Sequence, residues 1–464
     1  SRAQMATLPR LRPREFYDLV IEVALIRPGP IQGGSVHPYI RRRRGEEPVT
    51  YLHPLLEGCL AKTLGVPLFQ EQLMQMAIDV ANFTPGEADQ LRQAMGSKRS
   101  HERMAVLRSR LMAGMAGNGI TGAVADEIAH KLEAFADFGF PESHSVSFAY
   151  LVYASSWMKL HYPAEFTAAL LNAQPMGFYS PHTIVRDARR HGVEILGPDL
   201  NRSRTRCTLE PRTDGAVGRP VARQWHADES ILAVRIGLRY VRNLGNALLE
   251  RIEEERTGNG PFADLEDFAR RTAAPTDAIE GLAAAGAFGC FGLSRRDALW
   301  AAAALREARP DKLPGLVTGL DAPTLPLMTA PEEAAADLWS MGLSPAAHPT
   351  EFTRPALDRR GVVTVAGLAG VPDRSVVEVA GVVTHRQRPM TAQGVIFINL
   401  EDETGLLNVI CSPGLWRRYR RVARTSSALL VRGVVERHQG VTNLVAHRLE
   451  SLRTGAAPRS RDFR

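Results

Sequence analysis

The sequence predicts a multidomain chain, mainly α-helical, that closes on a five-stranded β-barrel of the OB type. Three observations carry that prediction. At 464 residues the chain exceeds one ordinary domain, for which roughly 100–200 residues is usual. Apolar residues recur at helical spacing, with legible caps, from about residue 14 to 174 and again from 231 to 309. Beyond residue 376 the period drops to two, in "VVEVAGVVTHR", "VIFINLEDETG", "LLNVICS", "ALLVRGVVERH" and "TNLVAHRLE", as the strands of a small Greek-key barrel require.

Residues 1–175 read as helices with clear stops. In "NFTPGEADQLRQAMG", Thr84 takes the N-cap, Pro85 the first helical position, and Glu87 completes a capping box; Gly96 ends the helix, which carries Arg92. A second helix is expected from about Thr121 to Phe135, and a third from near Ser145 to His161, stopped by Tyr162-Pro163. The apolar residues of the third run nearly all the way round, which predicts burial among other helices. Residues 176–230 contain strand-like pieces, "VEILGPDL" and "RCTLEP", and a polar insertion near 212–228; they read as a connecting α/β region. Short helices with tight turns return over 231–309. Residues 310–375, rich in Pro, Ala and Leu over their first part, read as a linker with one short helix. The barrel is expected over 376–450, and 451–464, ending "RTGAAPRSRDFR", as a disordered basic tail.

Composition narrows the class. The chain is 44% hydrophobic and 23% charged, with no apolar run near the roughly 20 residues of a membrane span. Cys59, Cys207, Cys290 and Cys411 are far apart and make no C-x-x-C or Cys/His cluster, so neither a metal site nor a disulfide framework is indicated, and a reducing cytoplasm fits. The chain opens on "SRAQMATLPRLRPREF", without a Met and without an apolar signal segment, so the natural start is expected upstream and no export signal is visible. A formal charge of +7 favours a polyanionic partner mildly.

Several residues are candidates for chemistry. The run Arg41 to Arg44 reads as a solvated face, as do Arg103, Arg108 and Arg110. In "LRQAMGSKRS" the helix breaks where Lys98 and Arg99 begin, so Arg92 and those two cations can converge on one phosphate, although a plain charge cluster also explains them. In "GFPESHSVSFAY", Ser145 can cap the following helix and Ser143 can brace the turn; equally, Ser143, His144 and free N–H groups can form an anion cradle. "IGLRYVRNLGNALLERI" reads as helix-hairpin-helix, a turn that grips nucleic-acid phosphates through Asn243, Leu244 and Gly245, with Asn243 taking the left-handed position usually held by Gly. "IEGLAAAGAFGCFG", turning at Gly286, reads as a second copy. In the barrel, Arg386, Arg388, Arg417, Arg418, Arg420 and Arg421 are placed to track phosphates. Phe397 reads as core, with base stacking as its other reading; Trp416 and Tyr419 either stack bases or pack on the barrel. Glu401, Asp402 and Glu403 fall in a barrel turn.

Taken together, "ALIRPGPIQGG", "VPLFQEQLMQMA", "LRQAMGSKRS", "FADFGFPESHSVSFAYLVYASSWMKLHYPAEF" and "MGLSPAAHP" resemble the C-family bacterial DNA polymerases, relatives of the polymerase III alpha subunit, and among them the error-prone paralogues of damage-induced translesion synthesis. The resemblance covers essentially the whole chain. It implies that 1–175 is the end of the palm and the fingers, that 231–309 is a tandem helix-hairpin-helix domain on duplex DNA, and that 376–450 is an OB domain near the single-stranded template. It implies a nucleotide pocket with Arg92 on the triphosphate, Lys98 and Arg99 in support, and Ser143 and His144 beside it. Relatives commonly carry two successive arginines where this chain has Arg92 then Gln93, which removes one positive charge.

The family's palm holds two Mg²⁺ ions on aspartates that precede the position of "SRAQM", and no D-x-D occurs in this sequence. Catalytic and metal-binding residues are therefore expected to be absent here, and the chain alone inactive. The implied partners are primer–template DNA, a deoxynucleoside triphosphate, accessory translesion proteins and a sliding clamp, although "APTLPLMTA" lacks the Gln and Phe of a clamp-binding peptide. The alternative is a non-catalytic DNA-binding scaffold, which a natural start codon at residue 1 favours.

Overall fold

The structure is a computed structural model that describes residues 2–26, 36–95, 100–136, 140–177, 179–213, 232–305, 319–320, 322–389, 392, 394–438, 440–455, 457–458 and 460–463. The chain divides into two compact units, residues 1–156 with 438–441, and residues 157–437 with 442–464.

The first unit is helical: α1 (Arg2–Leu11), α2 (Phe16–Leu25), α3 (Val36–Arg43), α4 (Glu57–Leu60), α5 (Gln70–Ala81), α6 (Pro85–Met95), α7 (Ser100–Gly117), α8 (Gly122–Ala136) and the start of α9 (Glu142–His161). One core joins Leu73, Met76, Val80, Phe83, Leu91, Leu111, Met115, Ile128 and Leu132. The capping box forms as the sequence predicts: Glu87 N–H donates to Thr84 Oγ1 at 3.3 Å, and Thr84 N–H to Glu87 Oε2 at 2.8 Å. The same carboxylate takes Arg110 Nε at 2.9 Å, whose other nitrogens donate to Ala81 O and Asn82 O at 3.1 Å, closing the C-terminus of α5.

The arginine run is not a freely solvated face. Arg41 and Arg42 pair with Glu47 at 2.8 and 3.4 Å, Arg44 with Glu46 at 3.0 Å, and Arg43 with Asp18. Arg42 also donates to Leu64 O at 2.7 Å, so it binds a neighbouring turn rather than a ligand.

Helix α9 departs from the sequence reading twice. It starts at Glu142, so Ser145 is a buried residue inside the first turn and not its cap; the first helical bond runs from Ser145 N–H to Pro141 O at 3.2 Å. A Pro before the helix and an acidic residue in its first turn both favour that earlier start. Nor is the helix wrapped: in its 142–156 part only Ser145 and Ala149 are buried, while Val146, Phe148, Tyr150, Leu151, Val152 and Tyr153 are exposed.

The second unit continues with α10 (Pro163–Asn172), α11 (Pro181–Arg190), β1 (Ile195–Leu196), β2 (Thr208–Pro211), β3 (Leu232–Arg235), α12 (Asn246–Asn259), α13 (Leu265–Thr272), α14 (Thr276–Ala284) and α15 (Arg295–Ala304). The small sheet has order β1-β3-β2, and its core is that of the helices, through Leu171, Val185, Val234, Ile252, Phe268, Leu282 and Phe288. From residue 214 the polar insertion lies outside the described residues.

The linker reading of 310–375 fails from residue 330 on. Helices α16 (Ala330–Met341) and α17 (Arg354–Arg359) lie there, and the segment between them is anchored by polar side chains. Arg189 Nη1 donates to Pro345 O at 2.6 Å, and Arg186 Nη2 to Glu351 Oε1 at 2.9 Å. Ser344 N–H donates to His182 Nδ1 at 3.4 Å, and Thr350 N–H to His348 Nδ1 at 3.3 Å. The first of these bonds makes His182 Nδ1 an acceptor; His348 Nδ1 also lies 2.6 Å from Thr350 Oγ1, and the two ring centroids are 5.6 Å apart.

The barrel strands are β4 (Val376–Gln387), β5 (Ile396–Glu401), β6 (Leu406–Cys411), β7 (Ala428–His438) and β8 (Val441–Ser451), with α18 (Pro413–Arg418) and α19 (Arg420–Thr425) after the third strand. Their order is β5-β6-β8-β7-β4, β5 pairing back on β4, with β6 and β8 parallel. This is the closed barrel that the switch of period predicts. At Gly381 an added Cβ would lie 2.8 Å from Glu401 O, so closure needs glycine there. Alternation turns Ile396, Ile398 and Leu400 inward, which leaves Phe397 half-buried on the outer face and not in the core. The tail is not disordered throughout: β9 (Arg461–Phe463) pairs in parallel with β4, with Arg386 opposite Asp462.

The acidic turn fastens the barrel to the helices. Glu401, fully buried, accepts Thr183 Oγ1 at 3.1 Å and Arg190 Nη1 at 3.2 Å. Asp402 accepts Val365 N–H at 2.7 Å and Arg354 Nη2 at 3.4 Å; Glu403 accepts Thr350 Oγ1 at 2.5 Å and pairs with Arg354 Nε. Burial, the larger effect, raises the Glu401 pKa, while Arg190 and Thr183 pull it down.

Burial also lowers the His182 pKa from 6.5 to about 3, with Arg186 and Arg190 adding to the shift. The unfolded chain takes up that proton below pH 6.5, so His182 contributes stability above that pH and loses it as pH falls toward about 3. His182 should contribute roughly 2 kcal/mol to the difference in urea-unfolding stability between pH 7.5 and pH 5, and His182→Gln should shrink the difference by that amount. An unchanged difference in the variant contradicts it.

Candidate nucleic-acid interface

The first hairpin is built on buried anchors. Leu238, in a 3₁₀ turn over Leu238–Tyr240, and Val241, Leu244, Leu249 and Ile252 point into the shared core. Those anchors hold the intervening turn at the surface. Asn243 adopts φ 64°, the left-handed conformation that the sequence assigns to it. Gly245 then caps α12, and its carbonyl accepts Leu248 and Leu249 N–H at 3.0 and 3.1 Å.

The N–H groups of Leu244, Gly245, Asn246 and Ala247 meet no acceptor among the described residues, and Gly245, Asn246 and Ala247 are exposed. Four unengaged amides at the positive end of a helix of 14 residues suit a phosphate oxygen. Beside them Arg242 is exposed, its guanidinium carbon 4.1 Å from the centroid of the Trp339 ring.

The second turn differs. Gly286 takes φ 76°, but its N–H donates to Ala283 O at 3.0 Å. The Arg295 guanidinium lies over it: an added Cβ would sit 3.1 Å from Arg295 Nε, and Arg295 Nη1 donates to Ala284 O at 2.8 Å and Asp337 Oδ1 at 2.7 Å. Ala285, Ala287 and Phe288 are buried. The second hairpin therefore packs on α16 where the first faces outward.

On the barrel, Arg417, Arg418, Arg420 and Arg421 are all exposed, with Arg418 5.5 Å from the Tyr419 ring centroid. A cleft of about 500 Å³ lies beside them, lined by Arg386, Gln387, Arg388, Ile396, Trp416, Arg420, Arg424 and Asp462. Of the four predicted arginines on these helices, Arg420 alone lines it. Arg424 escaped the sequence reading, although it lies four residues after Arg420 on α19 and so shares its face. Arg386 is buried and committed: Nε and Nη2 donate to Ala423 O and Ser426 O at 2.6 Å, and Nη1 to Ser460 Oγ at 2.8 Å and Asp462 Oδ1 at 3.2 Å. Its Nε and Nη2 close the end of α19, and only Nη1 faces the cleft, where Asp462 holds it. Trp416 packs against the barrel core and lines the cleft, so both readings of it hold at the level of geometry.

In the first unit, the Arg92 side chain and all of Lys98 and Arg99 lie outside the described residues. Ser143 and His144 are exposed in the first turn of α9, their N–H groups meeting no acceptor among the described residues. The His144 ring stands edge-on between Phe140 and Phe148, at 5.1 and 4.6 Å. Next to it Glu142 N–H donates to Glu71 Oε2 at 3.0 Å, and the Glu142 carboxylate takes Lys62 at 2.6 Å. Two carboxylates thus already occupy the start of this helix.

Among the described residues no group of three His, Cys, Asp or Glu side chains is placed to hold a metal ion, and Glu401, Asp402 and Glu403 are engaged by arginine and hydroxyl partners. These residues do not fit a divalent-cation site, and no step through Mg²⁺ is assigned to them. No helix among the described residues is long and apolar enough to cross a membrane.

Family models match three parts of the chain: the finger domain of the bacterial DNA polymerase III alpha subunit at residues 1–119, a helix-hairpin-helix motif at 192–298, and an OB-fold nucleic acid binding domain at 377–452. Over its whole length the chain is 58% identical to an error-prone DNA polymerase of Mycolicibacterium paratuberculosis, 59% to one of Nocardia farcinica and 53% to one of Corynebacterium efficiens. End to end, the chain is similar to error-prone DNA polymerases, with a finger-domain match to the bacterial polymerase III alpha subunit. It spans 40–41% of the length of these relatives. The hairpin match begins at residue 192, and so takes in the small three-stranded sheet that shares the hairpins' core.

Proposed function

We propose that this chain is the fingers-to-C-terminus part of an error-prone, DNA-directed DNA polymerase that works in translesion synthesis and repair. The intact enzyme would join a primer 3′-hydroxyl to the α-phosphate of a deoxynucleoside triphosphate and release pyrophosphate. In that reading residues 1–175 take up the incoming nucleotide, with Arg92, Lys98, Arg99, Ser143 and His144 around its phosphates. The turn Asn243-Leu244-Gly245 grips duplex phosphates through main-chain N–H groups, with Gly286 holding the second hairpin's turn. Arg417, Arg418, Arg420 and Arg421 attract the single-stranded template. Mg²⁺ would be held by carboxylates of the longer enzyme, and clamp and accessory proteins would be its partners.

One observation carries this reading. A row of unengaged amides at a helix N-terminus and a cleft rich in arginine occur together in a chain that aligns end to end with error-prone DNA polymerases. Such contacts bind a phosphate backbone without reading bases, as an enzyme that travels along any sequence requires.

Binding of duplex DNA by this chain should weaken steeply with salt, the log–log slope rising by roughly 0.9 for each phosphate neutralised. Fluorescence anisotropy between 50 and 300 mM salt reads it; a flat profile rejects a backbone grip. In the longer enzyme, Arg92→Ala should lower kcat/KM for nucleotides about ten- to a hundredfold, the worth of a charge-assisted hydrogen bond. Unchanged steady-state kinetics reject that assignment.

A further inference from the structure

The cleft on the barrel carries more charge than the fold accounts for. Four of its lining residues are arginine, and one, Asp462, is acidic. Several arginines elsewhere are clasped by carboxylates, as at Arg43–Asp18, Arg235–Glu210 and Arg354–Glu403. Arg388, Arg420 and Arg424, by contrast, are exposed and make no ion pair or hydrogen bond among the described residues. Three unpaired cations around one hollow repel each other and lower the free energy of any anion that enters. Beside Gln387, the lining includes the Trp416 indole and the Ile396 side chain, an apolar surface on which a base can lie. A volume of about 500 Å³ lies within the range of small-ligand pockets, roughly 300–1,000 Å³.

The one acid among the described lining residues comes from the far end of the chain. Strand β9 lays Asp462 opposite Arg386 on β4, and the carboxylate lies 3.2 and 3.3 Å from Arg386 Nη1. Its side chain is 49% exposed, so it is a replaceable partner and not part of the barrel core. Arg386 keeps its bonds to Ala423 O and Ser426 O whichever anion sits on Nη1.

We propose that this cleft is a nucleotide subsite for single-stranded DNA, with one phosphodiester on Arg388, Arg420 and Arg424 and its base on Trp416, and that Asp462 is a built-in competitor for the phosphate. The proposal rests on the reading of the barrel as a single-strand binder and adds the place, the stacking residue and the internal competitor. Strand β9 then acts as a strap that lets the subsite fill only when DNA displaces its carboxylate.

The test is anisotropy of a labelled twelve-nucleotide oligothymidine with the full chain, beside a duplex of the same length as reference. Asp462→Asn should tighten the single strand about two- to fivefold, the worth of a half-exposed ion pair. The double variant Arg388→Glu/Arg424→Glu should weaken it by about tenfold or more. Trp416→Leu should weaken it about five- to tenfold while Trp416→Phe largely restores it. Duplex affinity, assigned to the hairpin turn, should move by less than about twofold in each. Thermal melting checks that every variant is folded. Unchanged or weaker single-strand binding in Asp462→Asn overturns the competitor, and equal losses on both DNA forms overturn the subsite while leaving the polymerase reading intact. A parent chain that binds duplex but not oligothymidine removes the barrel reading, and the proposal with it.

Discussion

A buried carboxylate must be matched or it destabilises the fold, and the placement of the barrel depends on how Glu401 is matched. Glu401 is fully buried, clasped by Thr183 and Arg190 of α11, and the next two residues, Asp402 and Glu403, are held by Arg354. Removing one member of such a set leaves a charge stranded in low dielectric, a loss of roughly 3–5 kcal/mol. Helix α11 contributes Ile184, Val185 and Ala188 to the same core as the hairpins. The acidic turn therefore ties the barrel to the hairpin helices, and the segment through Ser344, His348 and Thr350 fills the junction with its own polar contacts.

That junction gives the interface its logic. The open amide row at Leu244–Ala247 is main chain held by the buried anchors Leu238, Val241, Leu244, Leu249 and Ile252, whereas the arginines of the cleft beside α19 stand on helices packed against the barrel. Preorganised donors lose little freedom when a phosphate arrives. Arginines that look alike in sequence divide sharply here: Arg386, Arg295 and Arg354 hold the fold, while Arg388, Arg420 and Arg424 are exposed and pair with none of the described residues. Burial and partner count separate the two kinds, not spacing.

Local chemistry was legible in the sequence. The Thr84–Glu87 box, the left-handed Asn243 and the change of period at the barrel all depend on neighbours within a few residues, and all three are found. What failed depended on distant partners. Residues 330–375 read as linker because their anchors, His182, Arg186 and Glu403, lie about 50–170 positions away in sequence. Strand β9 escaped notice because three residues that pair only with β4 leave no periodic trace. The all-round apolar pattern of α9 predicts burial, but Tyr150 and Leu151 stay exposed, and Tyr153 meets the Phe16 ring edge-on while remaining exposed. Of the residues that the resemblance assigns to a nucleotide pocket, only Ser143 and His144 are described with their side chains, and acidic neighbours that the motif alone did not suggest stand beside them.

The claim that one ionic junction makes the hairpins and the barrel a single body is tested most directly by urea unfolding with two reporters. Versions of the chain that keep only Trp300, on α15, or only Trp416, on the barrel, would be followed by fluorescence with and without Glu401→Ala. Coincident midpoints in the parent that separate in the variant are the predicted result. Midpoints already apart in the parent, or still together after the substitution, would contradict the account.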